Sequence, residues 1–130
     1  MTSNPFGWIE MPVVDMERAM KFYETVFEVK LVKMDLGPLQ MAMWPQMPDG
    51  AKGAGGALVK HEAWYKPTTD GPLVYFTAQS GDLKNEVSRI EAAGGEIAVP
   101  IKQVGEWGWM ACGIDTEGNR FAVHSREHHP

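Results

Sequence analysis

The hydrophobic pattern of the first half of the chain predicts a strand, a helix and further strands. Aromatic and branched residues over 6–14, with Pro12 near the end, predict a strand. After Asp15, a candidate N-cap, apolar residues recur every three or four positions and predict a helix that ends near Phe27 or Glu28. Later apolar runs predict three more strands, over 29–34, 39–44 and 57–60. Two prolines and four glycines make 45–56 a predicted loop.

The second half repeats this order of elements. Residues 73–78 predict a strand, and Asp82 is the candidate N-cap of a second helix whose apolar face repeats every three or four residues. Three strands follow in the prediction, over 96–101, 108–114 and 120–125. An offset of 67, which places Asp82 on Asp15, preserves the apolar stripe of both helices. The pattern predicts one α+β domain over 1–130, built from two tandem β-α-β-β-β modules: module one over about 6–61, a linker over 62–71 and module two over 72–126.

Composition narrows the classes of partner. The chain has 12 basic and 17 acidic residues, a net charge of −5, so there is no electrostatic reason to expect nucleic acid or an anionic membrane as a partner. Cys112 is the only cysteine, which rules out an internal disulfide. The sequence has no signal-peptide pattern and no apolar run of membrane-spanning length, so we expect a cytoplasmic protein.

Several segments, in order and at the right spacing, resemble signatures of the vicinal oxygen chelate superfamily. They are the first strand Trp8–Val13, the helix segment Asp15–Phe27, and the second-half segments Ile90–Gly95 and Asp115–Arg120. This superfamily includes glyoxalase I, bleomycin-resistance proteins and extradiol dioxygenases, and the glyoxalase-like subgroup is the most similar. The resemblance covers about residues 6–126 and implies that the two modules form a mixed sheet curled around a cleft. Glu28 stands where the helix of the family usually ends in glycine.

The resemblance also implies where a metal would be bound. Metal-using members place His, Gln or Glu at four strand positions that face the cleft, because a divalent ion needs several converging lone-pair donors. Three of these positions fall on Trp8, on Leu73 or Tyr75, and on Ala122. The fourth lies in the strand around 55–60, which has no His, Asp or Glu. We therefore expect no metal at the usual site and no cofactor.

Two ionisable residues remain as candidates for catalysis. Strand alternation places Glu10 two residues beyond Trp8 and His124 two residues beyond Ala122, each on the expected cleft face. A buried glutamate beside a histidine could act as a general base or acid. The alternative is structural: Glu10 would cap a backbone or pair with a basic residue, and His124 would pack. The distance between them decides between the two interpretations.

Aromatic residues form the candidate ligand-binding set. They lie on predicted strands or at their ends and are Trp8, Trp44, Tyr75, Trp107 and Trp109. A cleft lined by such rings could hold a flat or apolar molecule, although about half of such a set is expected to pack in the core. In the segment 107–109 the two tryptophans are expected to share a face, with Gly108 leaving room for a close approach.

Two functions remain open at this point, and whether the chain is an enzyme is left undecided. The first is a small-molecule binding protein that lacks the metal and holds an apolar or aromatic ligand. The alternative is a glyoxalase-like lyase or isomerase that uses Glu10 as the base, with or without a metal at a displaced site. Open strand edges favour a homodimer. The histidines at 128 and 129 are expected to lie in a frayed tail.

Overall fold

The computed structural model describes residues 4–45 and 53–130. The predicted α+β class and the two tandem modules are confirmed. Module one contains β1 (Trp8–Pro12), α1 (Met16–Phe27), β2 (Val32–Leu36), β3 (Leu39–Met43) and β4 (Gly55–Lys60). Module two contains β5 (Val74–Thr77), α2 (Lys84–Ile90), β6 (Glu96–Gln103), a short 3-10 helix (Gly105–Trp107), β7 (Trp109–Ile114) and β8 (Arg120–Ser125). Most of the predicted loop over 45–56 lies outside the described residues, and β4 begins two residues earlier than predicted.

The strands form two separate four-stranded mixed sheets, ordered β1-β4-β3-β2 and β5-β8-β7-β6. In each sheet the first and last strands of the module pair in parallel, and the other pairs are antiparallel. Trp8 lies opposite Gly55, and Tyr75 lies opposite Ala122. The offset of 67 converts one pair into the other, so the internal repeat extends to the register of the parallel strands.

Both helices pack on the same core, which the two modules share. Phe22 and Tyr23 of α1 are fully buried and meet edge to face at 5.0 Å, and Tyr23 also contacts Phe121 of module two at 5.9 Å. On the opposite face each sheet has its own small apolar cluster. One is built around Met41, Ala57 and Val59, and the other around Met110, Cys112 and Ala122. The faces that point away from the helices therefore do not share one apolar cluster.

The ends of α1 follow the sequence. The Asp15 carboxylate accepts a hydrogen bond from the Arg18 backbone N–H at 3.1 Å, as expected of an N-cap. Glu28 ends the helix with φ 54° and ψ 48°, the left-handed conformation that favours glycine. This explains why glycine is usual at this position in similar sequences, and it leaves local strain in this chain.

The second helix departs from the prediction. It begins at Lys84, so Leu83 rather than Asp82 occupies the N-cap position, and it makes no side-chain cap. The Asp82 carboxylate nevertheless accepts a hydrogen bond from the Lys84 backbone N–H at 3.0 Å. It is also shared with the C-terminal tail, where it accepts a hydrogen bond from the His129 backbone N–H at 2.6 Å and meets the His128 ring at 3.0 Å. The tail that we expected to fray is docked beside α2.

The turn between β7 and β8 joins the two modules. Glu117 accepts hydrogen bonds from the Val14 and Asp15 backbone N–H groups at 2.8 and 2.7 Å. The Asn119 side-chain amide donates to the Pro12 carbonyl at 2.6 Å. A turn of module two thus holds the chain at the end of β1 and the start of α1. In the part of the chain that the structure describes, no helix is long and apolar enough to cross a membrane.

Candidate functional site

A cavity of about 340 Å³ lies between the two modules. It is bounded by β1, the end of α1, the chain around β4 and the strand β5. The lining residues are Ile9, Met11, Phe27, Val29, Trp44, Pro45, Gly53, Ala54, Gly55, Gly56, Ala57, Val74, Tyr75, Phe76, Thr77 and Gln79. The volume lies within the range of roughly 300–1,000 Å³ that is typical of small-molecule sites.

The walls of this cavity are aromatic and uncharged. Trp44 stacks on Phe76 with ring centroids 5.5 Å apart, and Phe76 lies 4.7 Å from Phe27. The polar side chains in the wall are those of Tyr75, Thr77 and Gln79, and the backbone supplies further polar groups. No charged residue is among the lining residues that the structure describes. Such a site favours a flat, neutral molecule, because burying an unpaired charge in it would be costly.

A second group of side chains lies on the open face of the first sheet, which is the face that points away from the helices. The Tyr65 hydroxyl donates to Glu10 Oε1 at 2.6 Å, and the Trp8 indole Nε1–H donates to Glu10 Oε2 at 3.2 Å. The hydrogen bond to Glu10 raises the pKa of the Tyr65 hydroxyl. Sequence reasoning missed Tyr65 because it lies in the predicted linker; an aromatic residue within a polar segment was the available signal.

Glu10 and His124 have different partners. Glu10 is exposed on β1 of the first sheet, whereas His124 lies on β8 of the second sheet. The His124 ring Nε2 meets the Trp107 carbonyl at 2.7 Å. Among the described residues no hydrogen bond or ion pair joins Glu10 to His124, so the structure does not show them as a base and acid pair.

The segment around Gly108 is arranged differently from the sequence expectation. Trp107 ends the 3-10 helix and is 63% exposed, whereas Trp109 begins β7 and packs against the core that the helices share. Gly108 has φ 111°, and a Cβ there would lie 2.3 Å from the Ser125 carbonyl. The close approach that Gly108 permits is therefore to the backbone of β8.

Of the five predicted aromatic residues, Trp44 and Tyr75 line the cavity. Trp8 is not among the lining residues, but its indole ring lies close to the lining residue Gly55, where a Cβ would come within 3.1 Å of it. Trp107 and Trp109 are not among the lining residues. The structure thus brings two of the five aromatic side chains to the cavity.

The positions that would hold a metal in the family do not fit one. Because Tyr75 pairs with Ala122 as Trp8 pairs with Gly55, the strand register selects Tyr75 over Leu73 and places the fourth position at Gly55. An indole N–H donates only, and glycine and alanine offer no side-chain ligand. A single phenol is a poor substitute for the carboxylate and imidazole ligands that divalent ions require. Within 4–45 and 53–130, no group of three or more His, Cys, Asp or Glu residues could hold an ion.

Comparison with known structures supports the fold. The chain is similar to a glyoxylase/bleomycin resistance protein/dioxygenase domain from Frankia sp. EAN1pec, with 17% identity, a TM-score of 0.71 and coverage of 96% of this chain and 98% of that one. It is also similar to a glyoxalase/bleomycin resistance protein/dioxygenase family enzyme from Burkholderia phytofirmans PsJN, with 15% identity, a TM-score of 0.68 and coverage of 94% and 98%. At these identities the likeness concerns the fold alone.

Glyoxalase I from Zea mays is similar at 20% identity with a TM-score of 0.68, and the match covers 92% of this chain. It covers 45% of the maize chain, so this chain spans about half the length of that enzyme. No curated protein sequence matches. The model of the Glyoxalase/Bleomycin resistance protein/Dioxygenase superfamily matches residues 6–123, which is nearly the whole chain. The chain therefore belongs to the Glyoxalase/Bleomycin resistance protein/Dioxygenase superfamily.

Proposed function

We propose that this protein binds a small, uncharged, apolar or aromatic molecule in the cavity between its modules. The observation that carries this proposal is the cavity of about 340 Å³, with Trp44 and Phe76 stacked in its wall and no charged lining residue among those described. Flat ligands gain from burial against such rings and from offset or edge contacts with them. Tyr75, Thr77 and Gln79 offer hydrogen bonds that would orient a ligand.

Fluorescence titration with N-phenyl-1-naphthylamine, an uncharged aromatic probe, tests this proposal. Thr77 is exposed and lines the cavity, so Thr77→Trp places a large ring in the cavity at little cost to folding. We expect this variant to bind the probe at least tenfold more weakly. The matched control is Ser88→Trp, which adds the same side chain on the exposed face of α2, outside the cavity. Equal affinity of wild type and both variants would contradict the proposal.

We further propose that binding needs no divalent metal. The donor-poor set of Trp8, Gly55, Tyr75 and Ala122 at the family positions supports this. The test is metal analysis of protein purified without a metal-affinity step, followed by the same titration with and without a chelator. We expect substoichiometric metal and equal probe affinity. Near-stoichiometric Zn, Ni, Fe or Mn would overturn this part of the proposal and would revive the alternative of an enzyme with a displaced metal.

The binding function is favoured over the lyase or isomerase alternative for a geometric reason. That alternative uses Glu10 as a base, but both Glu10 oxygens already accept hydrogen bonds, and its side chain is not among the lining residues of the cavity. A ligand in the cavity would therefore not contact the Glu10 carboxylate.

We also propose a homodimer. Val32, Met34 and Leu36 lie on the edge strand β2 and are 56%, 41% and 51% exposed. Alternate residues of a strand share a face, so these three form an apolar strip on one surface. Sedimentation velocity at several concentrations is the test. We expect a dimer whose association Met34→Lys weakens at least tenfold. A wild-type monomer at high micromolar concentration would refute the dimer.

The cytoplasmic location expected from the sequence stays a prediction.

A further inference from the structure

The Glu10 carboxylate is held by two neutral groups. Tyr65 and Trp8 each donate one hydrogen bond to it, at 2.6 and 3.2 Å, and neither carries a positive charge. None of the ion pairs among the described residues involves Glu10. The carboxylate is therefore fixed in direction while its negative charge has no counterpart among these pairs.

The surroundings of Glu10 are aromatic. Trp8 is 49% exposed, and its ring lies against Gly55 of the neighbouring strand. Tyr65 packs on the apolar cluster of Met41, Ala57 and Val59. Both rings are thus supported by the sheet, and part of the indole surface next to the carboxylate faces solvent. The face of an indole ring attracts cations more strongly than other aromatic side chains do.

We propose that Glu10, Trp8 and Tyr65 form a binding site for an organic cation, of the quaternary ammonium or methylated amine class. A weakly hydrated cation of this kind loses little on leaving water and gains from both the carboxylate and the ring. A small metal ion is a poorer match, because one carboxylate supplies too few of the oxygen ligands that it needs. The site is on the open face of the first sheet and adjoins the cavity at Gly55, so it goes beyond the proposed function and can be tested separately.

The probes are choline and its uncharged isostere 3,3-dimethyl-1-butanol, followed through the Trp8 indole N–H signal in ¹H–¹⁵N NMR spectra at low salt. Trp8→Phe assigns that signal by its disappearance. We expect choline to bind at least tenfold more tightly than the isostere. Because the attraction is between exposed charges, we also expect the difference to shrink as NaCl is raised.

Two variants and their control locate the effect. Glu10→Gln keeps the size of the side chain and removes the charge, and we expect at least tenfold weaker choline binding. Tyr65→Phe frees the carboxylate from one donor and should weaken binding a few-fold. The control is Glu106→Gln, which removes a carboxylate next to the exposed Trp107 in sequence and should bind choline as wild type does.

The proposal is overturned if choline binds no more tightly than the isostere, or if Glu10→Gln binds choline as wild type does. If Glu10→Gln does not fold, the salt dependence of the choline-to-isostere ratio in wild type decides: a ratio that does not change with NaCl refutes an ionic site. Titration with N-phenyl-1-naphthylamine separates the two proposals. If wild type binds the probe but not choline, this inference alone fails; if wild type binds choline but not the probe, only the cavity proposal fails.

Discussion

Replacing Glu117 should destabilise the fold by separating the two modules at the start of α1. The Glu117 side chain is fully buried and accepts two backbone hydrogen bonds, from Val14 and Asp15. Its other oxygen accepts from Arg18 Nε at 2.7 Å and from the Thr116 hydroxyl at 3.0 Å. The carboxylate thus acts as a second cap for α1, supplied by the other module, in addition to Asp15.

The magnitude follows from the two backbone hydrogen bonds. Hydrogen bonds to a charged group contribute roughly 1.5–3 kcal/mol each, and water can partly replace them here because Val14 and Asp15 are exposed. The ion pair with Arg18 adds little to the free energy of unfolding, because the Arg18 side chain is half exposed. Glu117→Ala should therefore lower the free energy of unfolding by about 2–4 kcal/mol. Glu117→Gln, which keeps one acceptor oxygen, should cost about half as much.

The effect should depend on pH with a definite sign. Burial raises the pKa of Glu117, but hydrogen bonds from Arg18, Asp15 and Val14 outweigh it and hold the pKa below its usual value of 4.5. The native state therefore binds fewer protons than the unfolded state, and the stabilisation is complete above pH 4.5 and is lost as pH falls through the lowered pKa. The gap between wild type and Glu117→Gln should be largest near neutral pH and should narrow on acidification.

Urea denaturation at a series of pH values from neutral to about 3 measures both quantities. The control is Glu62→Ala, an exposed glutamate in the linker, which should change the free energy of unfolding by less than about 0.5 kcal/mol. If Glu117→Ala costs no more than this control, or if the gap to Glu117→Gln is the same at every pH, then the turn does not hold the modules together in the way described.

Three further predictions concern single side chains. Glu28→Gly should raise the free energy of unfolding by roughly 0.5–1 kcal/mol, because it relieves the left-handed conformation at φ 54°, whereas Glu28→Ala should not. Tyr23→Phe should cost about 1.5–3 kcal/mol in the same assay, since it removes a 2.6 Å hydrogen bond to the buried Asp115, and an unchanged midpoint would count against this bond. Asp82→Asn should speed amide hydrogen exchange of His129 at least tenfold at neutral pH, and equal exchange rates would show that the tail is not held by this carboxylate.

The elements of the fold were predictable because their patterns are local. The period of α1, the Asp15 cap and the bounds of β8 all follow from residues that are close together in the chain. The helix α2 begins one residue later than predicted, but the Asp82 carboxylate does accept a hydrogen bond from the Lys84 backbone N–H at its start. Only the folded chain shows that the same carboxylate also holds the tail. Local sequence indicates which residue can cap a helix, but it does not show which distant groups share that residue.

The site was less predictable for the same reason. Alternation placed Glu10 and His124 correctly on strands, but it could not show that these strands belong to separate sheets. The aromatic pair around Gly108 was misplaced because a 3-10 helix ends there and changes the strand phase, which periodicity alone does not reveal. Tyr65 was overlooked because hydrogen bonds across 55 residues leave no local pattern.

The internal repeat relates two pairs of residues on the parallel strands. At one position of each parallel pair stands a large aromatic residue, Trp8 or Tyr75, and opposite it stands a very small one, Gly55 or Ala122. In the first module the small partner leaves room for the ring, because a Cβ at Gly55 would come within 3.1 Å of the indole ring. Aromatic and small residues thus occur together at corresponding positions of both halves.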